Sequence, residues 1–488
     1  MGNRLIHLLP SSKDKQQRLI VSIGFVFVAA LAVFISQEWY WGLLIPFGMA
    51  LIASIVLAMD YVLWFIVLAT PLSINYEFTD LGSTLNLPTE PFMVALTALF
   101  FIRLAYYGRF FPKLVKHPLS IILIAHLVWM LCTAITSELL VVSLKYFVSR
   151  LWFIVVFFYL MSLLFKNQKN HQPYFLLYLI PMAAVVIYTV IHHGQYGFTK
   201  RSGTWVMQPF FKEHTAYGAV LAMYFTVAWG MFFRYNYRPL VKIVLLVISI
   251  IISVGLYFSY TRAAWLSVMV MLGISAFLYL GWGFKRFIQL ITMAIVIIGL
   301  GWGQIDNYFG STKAESSDDV TEHLSSVANV STDASNTERL NRWKSAWRMF
   351  QERPLTGFGP GTYMFLYAPY QNPHEKTIIS TNRGDVGNAH SEYIGPLADS
   401  GLPAALIVFT LVLATFYYGF KLSLQLPTQE LRTTASIAFL ALVTYWFHGL
   451  VNNFLDIDKT GLPVFGFTAL LATLDVCFMK KDRYQNTP

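Results

Sequence analysis

Residues Val241 to Leu280 read VKIVLLVISIIISVGLYFSYTRAAWLSVMVMLGISAFLYL. Two apolar runs, 240–258 and 264–282, flank the short break SYTR. Each is as long as the roughly 17 to 25 residues that cross a bilayer as a helix. Neither shows the alternation over about ten residues that marks an outer-membrane strand, so a helical bundle is expected and not a barrel. The whole chain has this character. Of its 488 residues 56% are hydrophobic and 12% charged, with a mean hydropathy of +0.55, far from the composition of a water-soluble domain.

Working outward from this pair, hydropathy predicts further spans near 19–36, 41–58, 61–75, 91–107, 119–136, 146–165, 174–192, 215–233, 287–303, 402–420, 433–451 and 462–479. The expected fold is an all-α integral membrane protein with about fourteen helices. The weakest pair flanks Asp60. The first run follows a polar tail and lacks a small-residue cleavage site, so it reads as a retained helix.

Basic residues set the orientation. They gather in the N-terminal tail (Arg4, Lys13, Lys15, Arg18), in alternate connections from Arg103/Lys113 through Lys166/Lys169, Arg234/Lys242 and Lys285/Arg286 to Lys421/Arg432, and in the final Lys480/Lys481. The expected organisation is a cytoplasmic tail 1–18, membrane segments 19–303, an outward loop 304–401, membrane segments 402–479 and a cytoplasmic tail 480–488. The formal charge of +10 is explained by topology and lipid contact, without a nucleic acid. Cys132 and Cys477 are far apart within apolar runs and read as neither disulfide nor metal ligands.

The outward loop holds the chemistry. In TERLNRWKSAWRMFQERP, Leu340, Trp343, Trp347 and Phe350 share one helical face, which predicts an amphipathic helix at the membrane surface ending before Pro354. The glycines Gly357, Gly359 and Gly361 allow either a phosphate-cradling loop or a turn that docks the surface helix on the bundle; the lack of a following Lys-Ser/Thr favours the turn. His390, next to Glu392 and ahead of the predicted short helix SEYIGPLADSG, is a candidate base. Arg262 at the outer end of a helix pair and Lys200/Arg201 in TKRSGTW are cations where topology does not ask for them, and arginine suits phosphate. Lys145 and Arg150 are candidates for the same basic cavity.

The pieces RSGTW, SYTRAAW, ERLNRWKSAWRMFQERPLTGFGPGTY and NAHSEYIGPLADSGLPAAL together resemble the O-antigen ligase-like polytopic glycosyltransferases, a family of O-antigen ligases and O-antigen or exopolysaccharide polymerases. The likeness covers roughly residues 200–420. It implies a GT-C-like bundle in the bacterial inner membrane with a periplasmic site. The implied donor is a glycan on undecaprenyl diphosphate, and the implied acceptor a lipid-linked glycan or a lipid A core. Transfer would invert the anomeric centre without metal or cofactor, and a flippase and a chain-length regulator are the implied partners. His390 resembles the family's essential histidine, Arg201 and Arg262 its diphosphate-binding arginines, and Arg339 the arginine opening the surface helix. Where the family often has His-Asn, this chain has His390-Ser391. The numerous polymerases in the family and the many spans favour polymerase over ligase.

Two rivals remain from the residues. Asp456-x-Asp458 has the spacing of a divalent-cation pair, whereas His192, His193 and His214 lack compact ligand spacing. A transporter would need mid-span ionisable groups and internal repeats. Asp475 lies near the cytoplasmic end of its span, where Lys480 or Lys481 is the expected partner.

Overall fold

The computed structural model describes residues 33–37, 58–78, 83–108, 110–294, 296, 334–376, 380 and 387–479. The predicted spans 19–36 and 41–58 lie almost wholly outside these residues, and 287–303 is described only in its first part.

Helices dominate: α1 Met59–Ala69, α2 Thr89–Tyr107, α3 Pro118–Ile135, α4 Leu140–Phe165, α5 His171–Gly194, α6 His214–Arg234, α7 Pro239–Phe258, α8 Arg262–Tyr279, α9 Ala334–Glu352, α10 Gly395–Gln425, α11 Gln429–His448 and α12 Asp458–Phe478. Among the described residues nine helices are long and apolar enough to cross a membrane. The protein is thus an all-α membrane protein.

Local chemistry sets the helix starts. Pro118 and Pro239 occupy first-turn positions where no N–H is needed. Before Pro118, the His117 Nδ1 accepts the Leu119 N–H at 3.3 Å, and Thr428 Oγ1 accepts the Leu431 N–H at 3.3 Å. The middle of the bundle is α6, α11 and α12, against which Tyr178 of α5 packs, stacking on Tyr224 at 4.2 Å and donating to the Lys459 carbonyl at 2.7 Å. At the periphery α7 exposes Val241, Ile243, Val244, Val247 and Ile250. Such an apolar face suits lipid, not water.

One expectation is corrected. The span predicted at 61–75 ends early: α1 tightens into a 3-10 turn at Thr70–Leu72, where Pro71 enters, and Ile74–Phe78 (β1) then pairs antiparallel with Ser83–Leu87 (β2). The short helix expected from SEYIGPLADSG forms at the start of α10, from Gly395, and is set off from the span that follows by the non-helical Ser400 and Gly401 (φ 73°). Trp129 Nε1 donates to the Ser400 carbonyl freed there, at 2.8 Å. Asp475 pairs with Lys421 at 2.8 Å and with His117 Nε2 at 3.4 Å. Lys480 and Lys481 lie outside the described residues.

The surface helix α9 forms as predicted, and the face it buries mixes polar and apolar side chains. Asn341, Arg342, Ser345, Ala346 and Met349 are buried, while Trp347 is 50% exposed and stacks obliquely on Phe350 at 5.1 Å. An aromatic side chain turned away from the protein, as Trp347 is, suits a helix lying in a bilayer interface.

Candidate active site

Arg262 begins α8 after a tight turn in which Tyr260 takes φ 50°. Thr261 Oγ1 ties the turn to the His214 carbonyl at 3.0 Å, and Gly218 leaves the room that Thr261 fills. A cavity opens there, lined by Arg262, Arg339, His214, Thr261 and Asn452 among others. Two of the predicted arginines, 77 positions apart in the chain, therefore share one cavity. The Asn452 amide nitrogen is buried without an acceptor, leaving a donor in the cavity wall.

His390 is held beside this cavity by α9. Arg342 makes a buried pair with Glu338 at 2.9 Å and donates from Nη1 to the Asn388 carbonyl at 3.0 Å. Gly387 (φ 96°) lets the guanidinium approach, because a Cβ there would collide with it. The Asn388 Oδ1 accepts the His390 N–H at 3.1 Å, and Trp343 Nε1 reaches the His390 carbonyl at 3.4 Å. His390 itself sits at φ 50°. A left-handed conformation at a non-glycine residue costs on the order of 1–3 kcal/mol and persists where surrounding contacts impose it.

The imidazole is half-buried and lines none of the cavities described here; its Nδ1 is buried with no partner. Burial, then the charges of Arg342 and Arg339, pull its pKa from the usual 6.5 down to about 3, with Glu338 opposing. The ring is a neutral proton acceptor at physiological pH.

The glycine turn docks the loop and cradles no phosphate. Gly357, Gly359 and Gly361 all have positive φ. Phe358 and Gly359 donate to the carbonyls of Ala398 and Asp399 at 3.0 and 2.7 Å. The Asp399 carboxylate accepts the Gly361 and Tyr363 N–H groups at 3.1 and 3.0 Å. Those amides are already occupied.

The other predicted cations fall elsewhere. Lys200 and Arg201 are exposed and do not line the Arg262 cavity. Their loop flanks it: Tyr260 donates to the Phe198 carbonyl at 2.8 Å, and Gly203 packs against the Tyr260 ring. Lys145 is exposed, whereas Arg150 is buried. Arg150 and Glu392 line a second cavity, with His126, Tyr146, Asp399 and Ser400. Glu392 has a structural task, since its Oε1 accepts from Tyr445 Oη at 2.6 Å and from the Phe454 and Leu455 N–H groups at 2.7 and 3.0 Å.

The acidic pair divides. Asp458 is buried, with Oδ2 accepting from Ser73 and Thr89 hydroxyls, both at 2.9 Å, and Oδ1 facing Lys459 at 3.8 Å. Asp456 is reachable from a third cavity. His192 and His193 bond the carbonyls of Val206 and Thr199, each at 3.0 Å. Among the described residues no three His, Cys, Asp or Glu side chains cluster as a metal site.

Sequence reasoning missed Arg342, Asn388, Asn452 and Asp399 as site-building residues. A signal for Arg342 existed in its i,i+4 spacing from Glu338. The contacts of the other three join segments distant in the chain.

A search of curated proteins finds no match to this chain. The protein-family model Wzy_C, described as O-antigen ligase, matches residues 247–409, the segment that contains Arg262, Arg339 and His390. Over that segment the match supports an O-antigen ligase-like family and, with the apolar helices, a glycosyl-transferring bacterial membrane protein of surface polysaccharide assembly.

Proposed function

We propose that the protein transfers a glycan from undecaprenyl diphosphate to a sugar hydroxyl at the periplasmic face of the inner membrane, and that the acceptor is another lipid-linked repeat, making it a polymerase. The observation that carries this reading is the double duty of α9. It contributes Arg339 to the Arg262 cavity and, through Arg342, fixes the segment that bears His390.

In the proposed step the acceptor hydroxyl oxygen attacks the anomeric carbon while its proton passes to the neutral His390. The carbon–oxygen bond to the diphosphate breaks on the opposite face, so the anomeric centre inverts. The diphosphate leaves with the bonding pair, and Arg262 and Arg339, with Arg201 from the flanking loop, offset its charge. A positioned base typically contributes about 10² to 10⁴-fold. A flippase that supplies the donor and a chain-length regulator belong to this reading as partners. So do cytoplasmic termini: Lys421, Asp475 and His117 meet at the far end of α10 from His390, as the basic-residue pattern asks. Transfer to a lipid A core is the second reading, favoured by the description of the matched family.

The test is turnover by purified protein with undecaprenyl-diphosphate-linked repeat units as the sole sugar source, resolved by product length. A ladder abolished by His390→Ala supports the polymerase. Product only on addition of lipid A core makes it a ligase. Full turnover in His390→Ala removes the histidine from the mechanism.

A further inference from the structure

The third cavity takes in Asn388, the residue that α9 holds through Arg342, and differs in chemistry from the arginine cavity. Its wall takes Asn75 and Asn86 from the β-hairpin, Asn388, Asn453 and Asp456, with Phe210 beside them. Four amides from three separate regions of the chain converge there. An amide offers one donor group and one acceptor, the match for a sugar hydroxyl, which is both.

The hairpin amides are aligned in advance. Asn75 and Asn86 are cross-strand partners. Asn86 Nδ2 donates to the Glu90 carboxylate at 2.9 Å, and Asn75 Nδ2 donates to Asn86 Oδ1 at 3.2 Å. Because the carboxylate end of this relay only accepts, the relay leaves Asn75 Oδ1 as its unused end. That oxygen is buried without a donor, and so is Asn453 Oδ1. A ligand carrying hydroxyl donors satisfies both. A diphosphate does not, because it would bring only acceptors and would meet Glu213 and Asp456. The only lysines in the wall are Lys212 and Lys459, and Lys459 is spent on Ser73 and Asp458.

The cavity is also coupled to the reacting segment. Asn388 donates from Nδ2 to the Asn453 carbonyl at 3.3 Å and accepts the His390 N–H at 3.1 Å. An occupant bonded to this wall is thus two residues from the imidazole.

We propose that this asparagine-lined cavity is the acceptor subsite, which binds the hydroxyls of an uncharged sugar unit and leaves the arginine cavity to the diphosphate. The assignment rests on the transfer reaction proposed above.

The test is binding to the full chain in lipid nanodiscs of two probes: the repeat-unit oligosaccharide freed from its carrier, and undecaprenyl diphosphate. Asn75→Ala and the near-isosteric Asn453→Leu, each of which removes the unpartnered acceptor, are expected to weaken the oligosaccharide about tenfold each, the loss of roughly one hydrogen bond's worth of affinity, and to leave undecaprenyl diphosphate unchanged. Arg262→Gln is expected to do the reverse. Unaltered oligosaccharide affinity in both asparagine variants, weakening of undecaprenyl diphosphate instead, or no oligosaccharide binding by the wild type overturns the subsite. Failure of the parent reading looks different: the wild type then fails to bind undecaprenyl diphosphate, whatever the asparagines do.

Discussion

The Arg342 Nη1 donates to the Asn388 carbonyl oxygen at 3.0 Å while its Nε is paired with Glu338 at 2.9 Å. Both side chains of the ion pair are nearly fully buried. Removing the arginine by Arg342→Ala strands a buried carboxylate, a loss of about 3–5 kcal/mol for a broken buried pair, and frees the loop before His390. Thermal unfolding in detergent should drop by several degrees and transfer should fall with it. Arg342→Lys should restore part of the stability but little of the activity, since an ammonium cannot span both partners with a planar fork.

The acid side of the rate profile tests the environment of His390. Its pKa lies below the ordinary value because burial and the cations Arg342 and Arg339 disfavour the imidazolium. The proton-free, active form therefore persists as pH falls through 6.5, and kcat should show no limb there. Arg339→Gln removes one repulsive charge and so raises the pKa, moving acid inactivation to higher pH.

Among the arginines, Arg262→Gln should cost the most, on the order of 10² to 10³ in kcat if it stabilises the leaving diphosphate. Arg201→Gln, an exposed residue outside the cavity wall, should cost less. Lys145→Gln, exposed on α4, should leave turnover at the wild-type level.

Gly359→Ala should destabilise the loop by about 1–3 kcal/mol. The residue has φ 120°, and an added Cβ would collide with the Ser137 hydroxyl. Loss of thermal stability together with activity is the expected result, measured by unfolding and turnover on the same preparation.

Chelator should leave turnover intact. Loss of activity that Mg²⁺ or Mn²⁺ restores would transfer the chemistry to Asp456, the member of the acidic pair that is not tied to Ser73 and Thr89.

Much of the bundle is legible in the sequence, because a membrane helix needs one long apolar run and its backbone satisfies itself. The run at 61–75 misleads because hydropathy does not register where hydrogen bonds go: Ile74 and Leu87 are apolar in either a helix or a strand, and only their pairing decides. The stripe Leu340, Trp343, Trp347, Phe350 predicts α9 correctly, yet periodicity alone does not say which solvent that face meets. Arg262 is visible because a cation at the edge of a span is conspicuous and His390 because an imidazole in the outward loop is, whereas Arg339 is visible through the family resemblance alone. Arg150 and Glu392 look equally suitable in sequence, but the fold places them in another cavity. Asn388 and Asn452 are inconspicuous polar loop residues until tertiary contacts supply their neighbours.

The break at Gly401 also gives α10 the character of a ruler. Twenty positions separate Gly401 from Lys421, whose ammonium is anchored to Asp475 at the opposite end of the helix. At 1.5 Å per residue that is about 30 Å, one hydrocarbon thickness. With Lys421 placed at one interface, Gly401 would fall at the other, and the proposed periplasmic site would put the segment from His390 to Ser400 near the level of the lipid phosphates. Deleting two residues between the two marks would draw the histidine about 3 Å toward the hydrocarbon, a misalignment as large as a hydrogen bond is long.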